Sequence, residues 1–98
     1  MSIESFGPPD PDAHEKVQAW RRSHSFGYLI NVRRPSKVVL HRSVCPNHLG
    51  DADWEAGWMN WGSMGNTRKI CSDDSSELVR WARAKLGVEP RRCRHCTP

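Results

Sequence analysis

Three of the four cysteines and one histidine carry the strongest chemical signal in the sequence. Cys93 and Cys96 form a CxxC pair, and this spacing lets one tight turn present two thiolates to the same ion. His41 and Cys45 lie four residues apart, at the end of a predicted strand where the chain enters a turn. Because three thiolates and one imidazole suit tetrahedral zinc, the sequence predicts a zinc site formed by these four residues.

Two other residues compete with His41 for the fourth ligand position. His48 lies three residues after Cys45, so it is also within reach of the same ion. Cys71 ends a predicted strand, where a cysteine is most often a small buried apolar residue, but it completes an all-cysteine site if His41 is not a ligand. A redox role for the CxxC pair is disfavoured, because no βαβ pattern surrounds it.

The cysteine motifs resemble those of the Ada-type metal-binding domains of bacterial alkylation-response proteins. Those domains combine C-x3-C, an intervening helix and a C-terminal R-P-C-x-R-C-x-P. A related small module, found on some bacterial nucleases, has histidine in place of the first cysteine. Here residues 39–45 read VLHRSVC and residues 90–98 read PRRCRHCTP. The resemblance covers about residues 38–98, and it implies that His41 is the fourth zinc ligand.

Catalysis is not expected from these residues. In the alkylation-response proteins the first cysteine of C-x3-C is also the nucleophile that accepts a methyl group, and the matching position here is His41. A neutral imidazole cannot act as that thiolate, so the resemblance does not extend to methyl transfer. The sequence also lacks a phosphate-binding glycine loop and an HExxH motif. A thiol-dependent enzyme is a weaker alternative, with Cys71 near the N-terminus of a predicted helix.

Basic residues concentrate in two blocks of a chain whose formal net charge is +4. Residues 16–45 carry seven Lys or Arg and no acid, and residues 80–98 carry six against one glutamate. A basic face built from both blocks would attract phosphate groups through counterion release. We therefore expect a nucleic acid, and DNA in the first place, as the partner. The predicted contacts are Arg33, Arg34, Lys37, Arg42, Arg91, Arg92 and Arg94.

A protein partner is the alternative, and it depends on a tryptophan-rich stretch. Trp54, Trp58 and Trp61 lie at i, i+4 and i+7, which would line one face of a helix. Exposed tryptophans favour protein interfaces, whereas buried ones supply core to a chain with few aliphatic residues. The protein would then be an interaction or scaffold module with a purely structural zinc ion. No small-molecule substrate is expected in either case.

The elements that must position these side chains are short. Two helices are predicted, at residues 13–23 and 76–86, each opened by a capping-box pattern. Three strands are predicted at residues 26–32, 38–42 and 68–71, the first two as an antiparallel hairpin. The expected fold class is therefore α+β, with a short antiparallel sheet of about three strands, two helices and one zinc ion.

Length and composition limit the remaining possibilities. The chain has 98 residues, of which 37% are hydrophobic, so it can form one small domain that a zinc ion would help to stabilise. Residues 1–12, with Gly7 and three prolines, are predicted to be a flexible arm, and residues 13–98 the single domain. No stretch is long and apolar enough to span a membrane, and the N-terminus lacks a secretion-signal pattern. A cytoplasmic protein is therefore expected.

Overall fold

Two helices and five strands make up the described part of the chain. The computed structural model describes residues 3–7, 10–34, 37–45, 68–94, 96 and 98. Within these ranges, neither helix is long and apolar enough to cross a membrane. The α+β class with two helices is confirmed. In chain order the elements are β1 (Glu4–Phe6), α1 (Ala13–Ser23), β2 (Tyr28–Arg34), β3 (Lys37–Arg42), β4 (Arg68–Ser72), α2 (Ser75–Leu86) and β5 (Arg91–Arg92).

The five strands form one mixed sheet in the order β1-β4-β2-β3-β5. The predicted hairpin is confirmed as β2 and β3, and the predicted third strand is β4, which pairs with the other side of β2. These pairs and β1 with β4 are antiparallel, whereas β5 runs parallel to β3. The expected number of strands is too low because β1 and β5 have only three and two residues. Strands this short have no alternation for a sequence pattern to reveal.

β1 changes the predicted domain boundary. The sequence predicts an arm over residues 1–12, whereas Glu4–Phe6 pairs with β4 as the edge of the sheet. Phe6 also packs against Val17 and Trp20, two buried residues of α1. The sheet therefore begins before residue 13, because a segment next to prolines can still pair along a strand edge.

α1 begins and ends where the sequence predicts, but its first turn is stabilised differently. The predicted capping box does not form, because the Asp12 side chain makes no cap hydrogen bond. Asp10 acts nearby instead: its carboxylate accepts hydrogen bonds from the Asp12 N–H at 2.9 Å and from Lys16 Nζ at 2.6 Å. A turn closed by an aspartate side chain therefore leads into the helix.

α2 has the end residues that the sequence predicts. The Asp74 side chain accepts a hydrogen bond from the Ser76 N–H at 2.9 Å, and Gly87 ends the helix in the left-handed region with a φ of 67°. A residue with a β-carbon is strained at that φ, so glycine suits the position. Glu77 accepts a hydrogen bond from the Ser72 hydroxyl at 2.7 Å, which fastens the start of α2 to the end of β4.

A helix covers each face of the sheet. Residues directly opposite one another on neighbouring strands share a face, so the strand register sorts the core into two halves. The face towards α1, which we call the α1 face, contains Trp20 packed on Leu29 and Cys71. The other, the α2 face, contains an aliphatic cluster against which Trp81 is partly buried. Its buried members are Ile30, Val32, Val38, Leu40, Ile70, Leu78 and Ala82.

A charged side chain lies inside the α1 face. Lys69 is fully buried, and its Nζ donates a hydrogen bond to Asn31 Oδ1 on the neighbouring strand at 2.6 Å. His14 of α1 is also buried. Burial lowers the pKa of His14 below its ordinary value, and the positive charges of Lys69 and Arg21 lower it further. The folded chain therefore favours the neutral imidazole.

We predict that His14 makes the domain less stable in mild acid. Because the pKa of His14 is depressed in the folded state, the unfolded chain binds a proton in mild acid that the folded chain does not bind. Stability is then full above the ordinary histidine pKa of about 6.5 and falls as the pH decreases below it. Urea unfolding at pH 7.5 and pH 5.0 should show a larger loss for the wild type than for His14→Gln.

The wild type and His14→Gln both retain His41, Cys45, Cys93 and Cys96. Any acid sensitivity of that group is therefore the same in both proteins and does not contribute to the difference between them. His24→Gln is the matched control, since it removes a histidine elsewhere on the molecule and leaves His14 in place. It should keep the wild-type difference between the two pH values. Equal losses for the wild type and His14→Gln would show that His14 does not cause the acid sensitivity.

Candidate metal centre

The four predicted ligands come together at one end of β3. His41 is in the strand, Cys45 follows it, and Cys93 and Cys96 follow β5. Their ligand atoms, one imidazole nitrogen and three Sγ atoms, all lie within 4.8 Å of one another. Three of the four residues are buried, and Cys96 is half-buried. The described residues therefore contain a group that can hold a metal ion, in the combination that the sequence predicts.

Parallel pairing of β5 with β3 brings the two motifs together. Arg92 lies beside Leu40, and Cys93 continues the pairing by donating its N–H to the Leu40 carbonyl at 2.9 Å. Because His41 directly follows Leu40, this register sets the CxxC turn next to His41. This short pairing therefore brings together two motifs that are far apart in the sequence.

The turn that leads to Cys45 is held from α1. The Cys45 N–H donates to the Arg42 carbonyl at 3.0 Å and closes a tight turn. Arg21 of α1 donates through Nε to the Ser43 carbonyl and through Nη2 to the Cys45 carbonyl, the latter at 3.1 Å. These bonds fix the backbone that carries the thiol. Sequence reasoning missed this role, since nothing distinguishes Arg21 from its neighbour Arg22 at the end of the helix.

A glycine allows the turn after α1 to lie against the same segment. The Gly27 carbonyl accepts a hydrogen bond from the Ser43 N–H at 2.9 Å. A β-carbon at Gly27 would lie only 2.8 Å from Trp20 Cη2, a distance that real β-carbons do not show. Glycine is therefore needed where α1, the start of β2 and the ligand turn meet.

Two hydrogen bonds from Arg42 hold Cys96 in place beside β3. Cys96 Sγ accepts a hydrogen bond from the Arg42 N–H at 3.2 Å, and Arg42 Nε donates to the Cys96 carbonyl at 2.8 Å. These bonds orient the sulfur atom towards the other three ligand atoms. The Cys45 and Cys93 Sγ atoms are 3.8 Å apart, and none of the four cysteines, all of which lie in the described part of the chain, forms a disulfide. A disulfide, at about 2.0 Å, is therefore not what holds the two motifs together.

Cys71 does not join this group. It lies on β4, two strands from β3, and its cross-strand neighbour Leu29 separates it from His41. Two strand spacings amount to about 10 Å, which is beyond the reach of a shared ion. Cys71 packs instead with Trp20 and Leu29, fully buried, and burial raises its pKa to about 12. A thiolate at this position is therefore not available at neutral pH.

We predict that Cys71 resists alkylation for as long as the protein is folded. Iodoacetamide at pH 7.5, followed by peptide mass mapping, should leave Cys71 unmodified because the thiol is both buried and protonated. The same chain in guanidinium chloride with a chelator should be labelled at all four cysteines, which shows that the reagent is competent. Rapid labelling of Cys71 in the folded protein would contradict this prediction and revive the thiol-enzyme alternative.

Some predicted residues lie outside the described part of the chain. His48, the alternative histidine ligand, is one of them. Trp54, Trp58 and Trp61, on which the protein-partner alternative depends, are also outside it. Of Arg34, the structure gives the strand position and not the side chain.

The predicted phosphate contacts fall near both ends of β3. Arg33 lies near the end of β2, and Lys37 is the first residue of β3. Arg42 lies at the other end of β3, beside the metal centre. The rise of a β-strand puts Lys37 and Arg42 about 17 Å apart. A ligand that touches both must therefore be elongated.

β5 adds arginines along the same side of the sheet, which we call the β3–β5 edge. Arg91 lies beside Val39 and Arg92 beside Leu40, so their side chains point to opposite faces. Arg94 follows Cys93 and is exposed. Five of the predicted contacts therefore lie on β3, on β5 or directly after β5, on both sides of the sheet and not on a single basic face, whereas Arg33 and Arg34 lie at the end of the central strand β2.

Comparisons with known proteins give no match to this chain: no protein-family model, no curated protein and no solved structure is similar to it. The site must therefore be understood from its own residues.

Proposed function

We propose that this chain is a non-catalytic zinc module that binds nucleic acid along the β3–β5 edge. The observation that carries the zinc assignment is the 3.8 Å separation of Cys45 Sγ and Cys93 Sγ. Two thiolates on one tetrahedral zinc ion, each about 2.3 Å from the metal, are themselves about 3.8 Å apart. The widest separation in the set is 4.8 Å, and rotation of the side chains covers the remaining difference.

The chemistry of the four ligands favours zinc in a structural role. Three thiolates and one imidazole form a common structural zinc set, whereas magnesium and calcium prefer oxygen ligands. The four ligand atoms would fill all four positions of a tetrahedral ion, whereas catalytic zinc sites keep one position open for water or substrate. His41 occupies the position of the methyl-accepting cysteine of Ada-type domains. A structural role is therefore the better proposal.

When bound, the ion would supply folding free energy and join two strands. His41 and Cys45 hold it from β3 and the turn after it, and Cys93 and Cys96 hold it from the segment after β5. The Arg21 bonds to the ligand turn add α1 to the same assembly. The basic residues next to the site are then presented on a rigid edge, which lowers the entropy cost of binding a partner.

The length and charge of this edge support a polyanionic partner. Lys37 and Arg42 are about 17 Å apart, which one strand of duplex DNA covers in about five nucleotides at 3.4 Å each. Because they are five residues apart on one strand, the two side chains point to opposite faces, so a small anion contacts one of them only, whereas a phosphate backbone that crosses the edge contacts both. Contacts of this kind position the protein without reading bases, so we expect strong salt dependence and little sequence preference.

The zinc part of the proposal is tested by elemental analysis. Protein purified without a metal-binding tag is expected to contain one zinc ion per chain. A stably folded protein without bound metal would overturn this part, because structural zinc sites contribute to folding directly.

The nucleic-acid part is tested separately with fluorescently labelled duplex and single-stranded 20-mers. Binding should be measurable at 50 mM salt and about tenfold weaker at 200 mM, as two phosphate contacts require. Lys37→Ala combined with Arg91→Ala should weaken binding further, whereas Arg22→Ala, an exposed arginine of α1 outside the edge, is the matched control. If the wild type does not bind either strand form at 50 mM salt, the nucleic-acid proposal is wrong.

A further inference from the structure

A second charged feature lies on the α2 face of the sheet, next to β5. A groove of about 470 Å³ separates α2 from the end of the chain beside β5, and we call it the α2–β5 groove. Leu40 and Val79 contribute apolar lining to it. The polar lining comes from two serines in the first turn of α2 and from charged side chains of both elements. The residues that matter for binding are Ser75, Ser76, Arg80, Arg83, Glu89 and Arg92.

One of the three arginines is already neutralised. Arg83 forms a two-point ion pair with Glu89, with Nε–Oε2 at 2.6 Å and Nη2–Oε1 at 3.0 Å. In the described part of the chain, no ion pair involves Arg80 or Arg92. The side chains that line the groove therefore carry three positive charges and one negative charge, and Arg80 on one wall and Arg92 on the other form no ion pair with the Glu89 carboxylate.

Arg92 already holds an oxygen atom in this groove. Its Nη1 donates a hydrogen bond to the Pro98 carbonyl oxygen at 3.0 Å, and Pro98 also lines the groove. An anion in the groove therefore has to displace this oxygen or bind the remaining N–H groups of Arg92. The charges of Asp74 and Glu77 offset the positive end of α2, so the arginines, more than the helix dipole, supply the attraction for an anion.

We propose that the α2–β5 groove binds a phosphate group, with Arg80 and Arg92 as its charged ligands and the Ser75 and Ser76 hydroxyls as neutral donors. Planar guanidinium groups match phosphate oxygens in two-point hydrogen bonds, and two of them facing one groove outcompete water better than scattered surface charges do. The inference deepens the proposed function, on which it rests. It names the groove where one backbone phosphate is held.

The metal centre and the groove are connected through β5. Arg92 directly precedes Cys93, whose N–H is bonded to Leu40, so the position of the Arg92 backbone is set by the residues that hold the ion. Arg80 is carried by α2, whose start is fastened to β4 by the bond between Ser72 and Glu77. The backbones that carry the two exposed arginines are thus anchored, which lowers the entropy cost of bringing their guanidinium groups to one anion.

The test uses the whole 98-residue, metal-loaded chain and two probes: inorganic phosphate and a DNA 12-mer in single-stranded and duplex forms. Phosphate added to ¹⁵N-labelled protein should shift the Ser75 and Ser76 amide signals. Arg80→Gln should weaken this titration at least fivefold. Lys85→Gln, which removes an exposed charge of the same helix outside the groove, should leave it within twofold of the wild type. Arg92→Gln is the second variant, on the opposite wall.

The 12-mer distinguishes the source of the phosphate. If the groove holds a backbone phosphate, Arg80→Gln should reduce the dependence of log K on log salt by about 0.7, the value of one contact with a single strand. If phosphate binds in the groove but the 12-mer does not bind, the phosphate site stands and the nucleic-acid function is wrong. Binding of the 12-mer equally to the Arg80→Gln, Arg92→Gln and Lys85→Gln variants would overturn the groove and leave the nucleic-acid function standing. Failure of both probes would overturn both.

Discussion

Replacing Cys93 with serine is expected to abolish stoichiometric zinc binding and to unfold the domain at neutral pH. A structural zinc ion contributes about 10–16 kcal/mol in small peptides, whereas an ordinary domain is stable by only about 5–15 kcal/mol in total. Cys93 is buried, its Sγ is 3.8 Å from that of Cys45, and its backbone pairs with β3. The measurements are elemental analysis and thermal unfolding followed by circular dichroism.

Cys71→Ala is the matched control, because it also removes a buried thiol. Cys71 lies in the core between Trp20 and Leu29, away from the ligand group. This variant should retain one zinc ion per chain and lose only about 1 kcal/mol from a small cavity. If the Cys93→Ser protein binds zinc and melts like Cys71→Ala, Cys93 is not a ligand and the assigned site is wrong.

Trp20→Ala is expected to cost about 3–5 kcal/mol of unfolding free energy and also to weaken zinc binding. Trp20 is only 7% exposed, packs on Leu29 and Cys71, and carries the stacked ring of His24 at 4.4 Å. Its loss loosens α1 from the sheet. Because Arg21 is the next residue and holds the carbonyls of the ligand turn, the loss reaches the metal site.

Trp81→Ala separates the two effects. Trp81 is on α2, is partly buried, and lies on the sheet face away from Trp20. Its truncation should cost less stability than that of Trp20, and zinc affinity measured by chelator competition in the folded protein should stay unchanged. Equal zinc affinities of the Trp20→Ala and Trp81→Ala proteins would contradict a coupling between α1 and the metal site.

The ligand set could be predicted because its chemistry is local. The spacings of His41 with Cys45 and of Cys93 with Cys96 each fit within one turn of chain. The two ends of α2 could also be predicted, because Asp74 and Gly87 are residue types that favour the start and the end of a helix. The β2–β3 hairpin follows from β-branched residues on both sides of a polar turn. In each case the deciding interactions are between residues that are close in sequence.

What escaped prediction depends on contacts between distant segments. β1 and β5 are strands only because β4 and β3 offer them an edge. The buried Lys69 reads as a surface residue in the sequence, and its place is set by the Asn31 oxygen on the next strand. The basic residues were expected on one face, but alternation along β5 divides Arg91 from Arg92. Strand register decides all of these, and composition does not reveal it.

The two-residue β5 has a consequence for the protein without its ion. So short a strand contributes too few ladder bonds to stay paired alone, so loss of the metal would detach it first. The outer side of β3 would then present open N–H and carbonyl groups along Lys37–Arg42, a segment whose three consecutive aliphatic residues, Val38, Val39 and Leu40, favour pairing with a strand of another chain. Metal occupancy would in this way keep copies of the protein from joining edge to edge, and pairing along β3 would accompany the first step of the unfolding that zinc depletion causes.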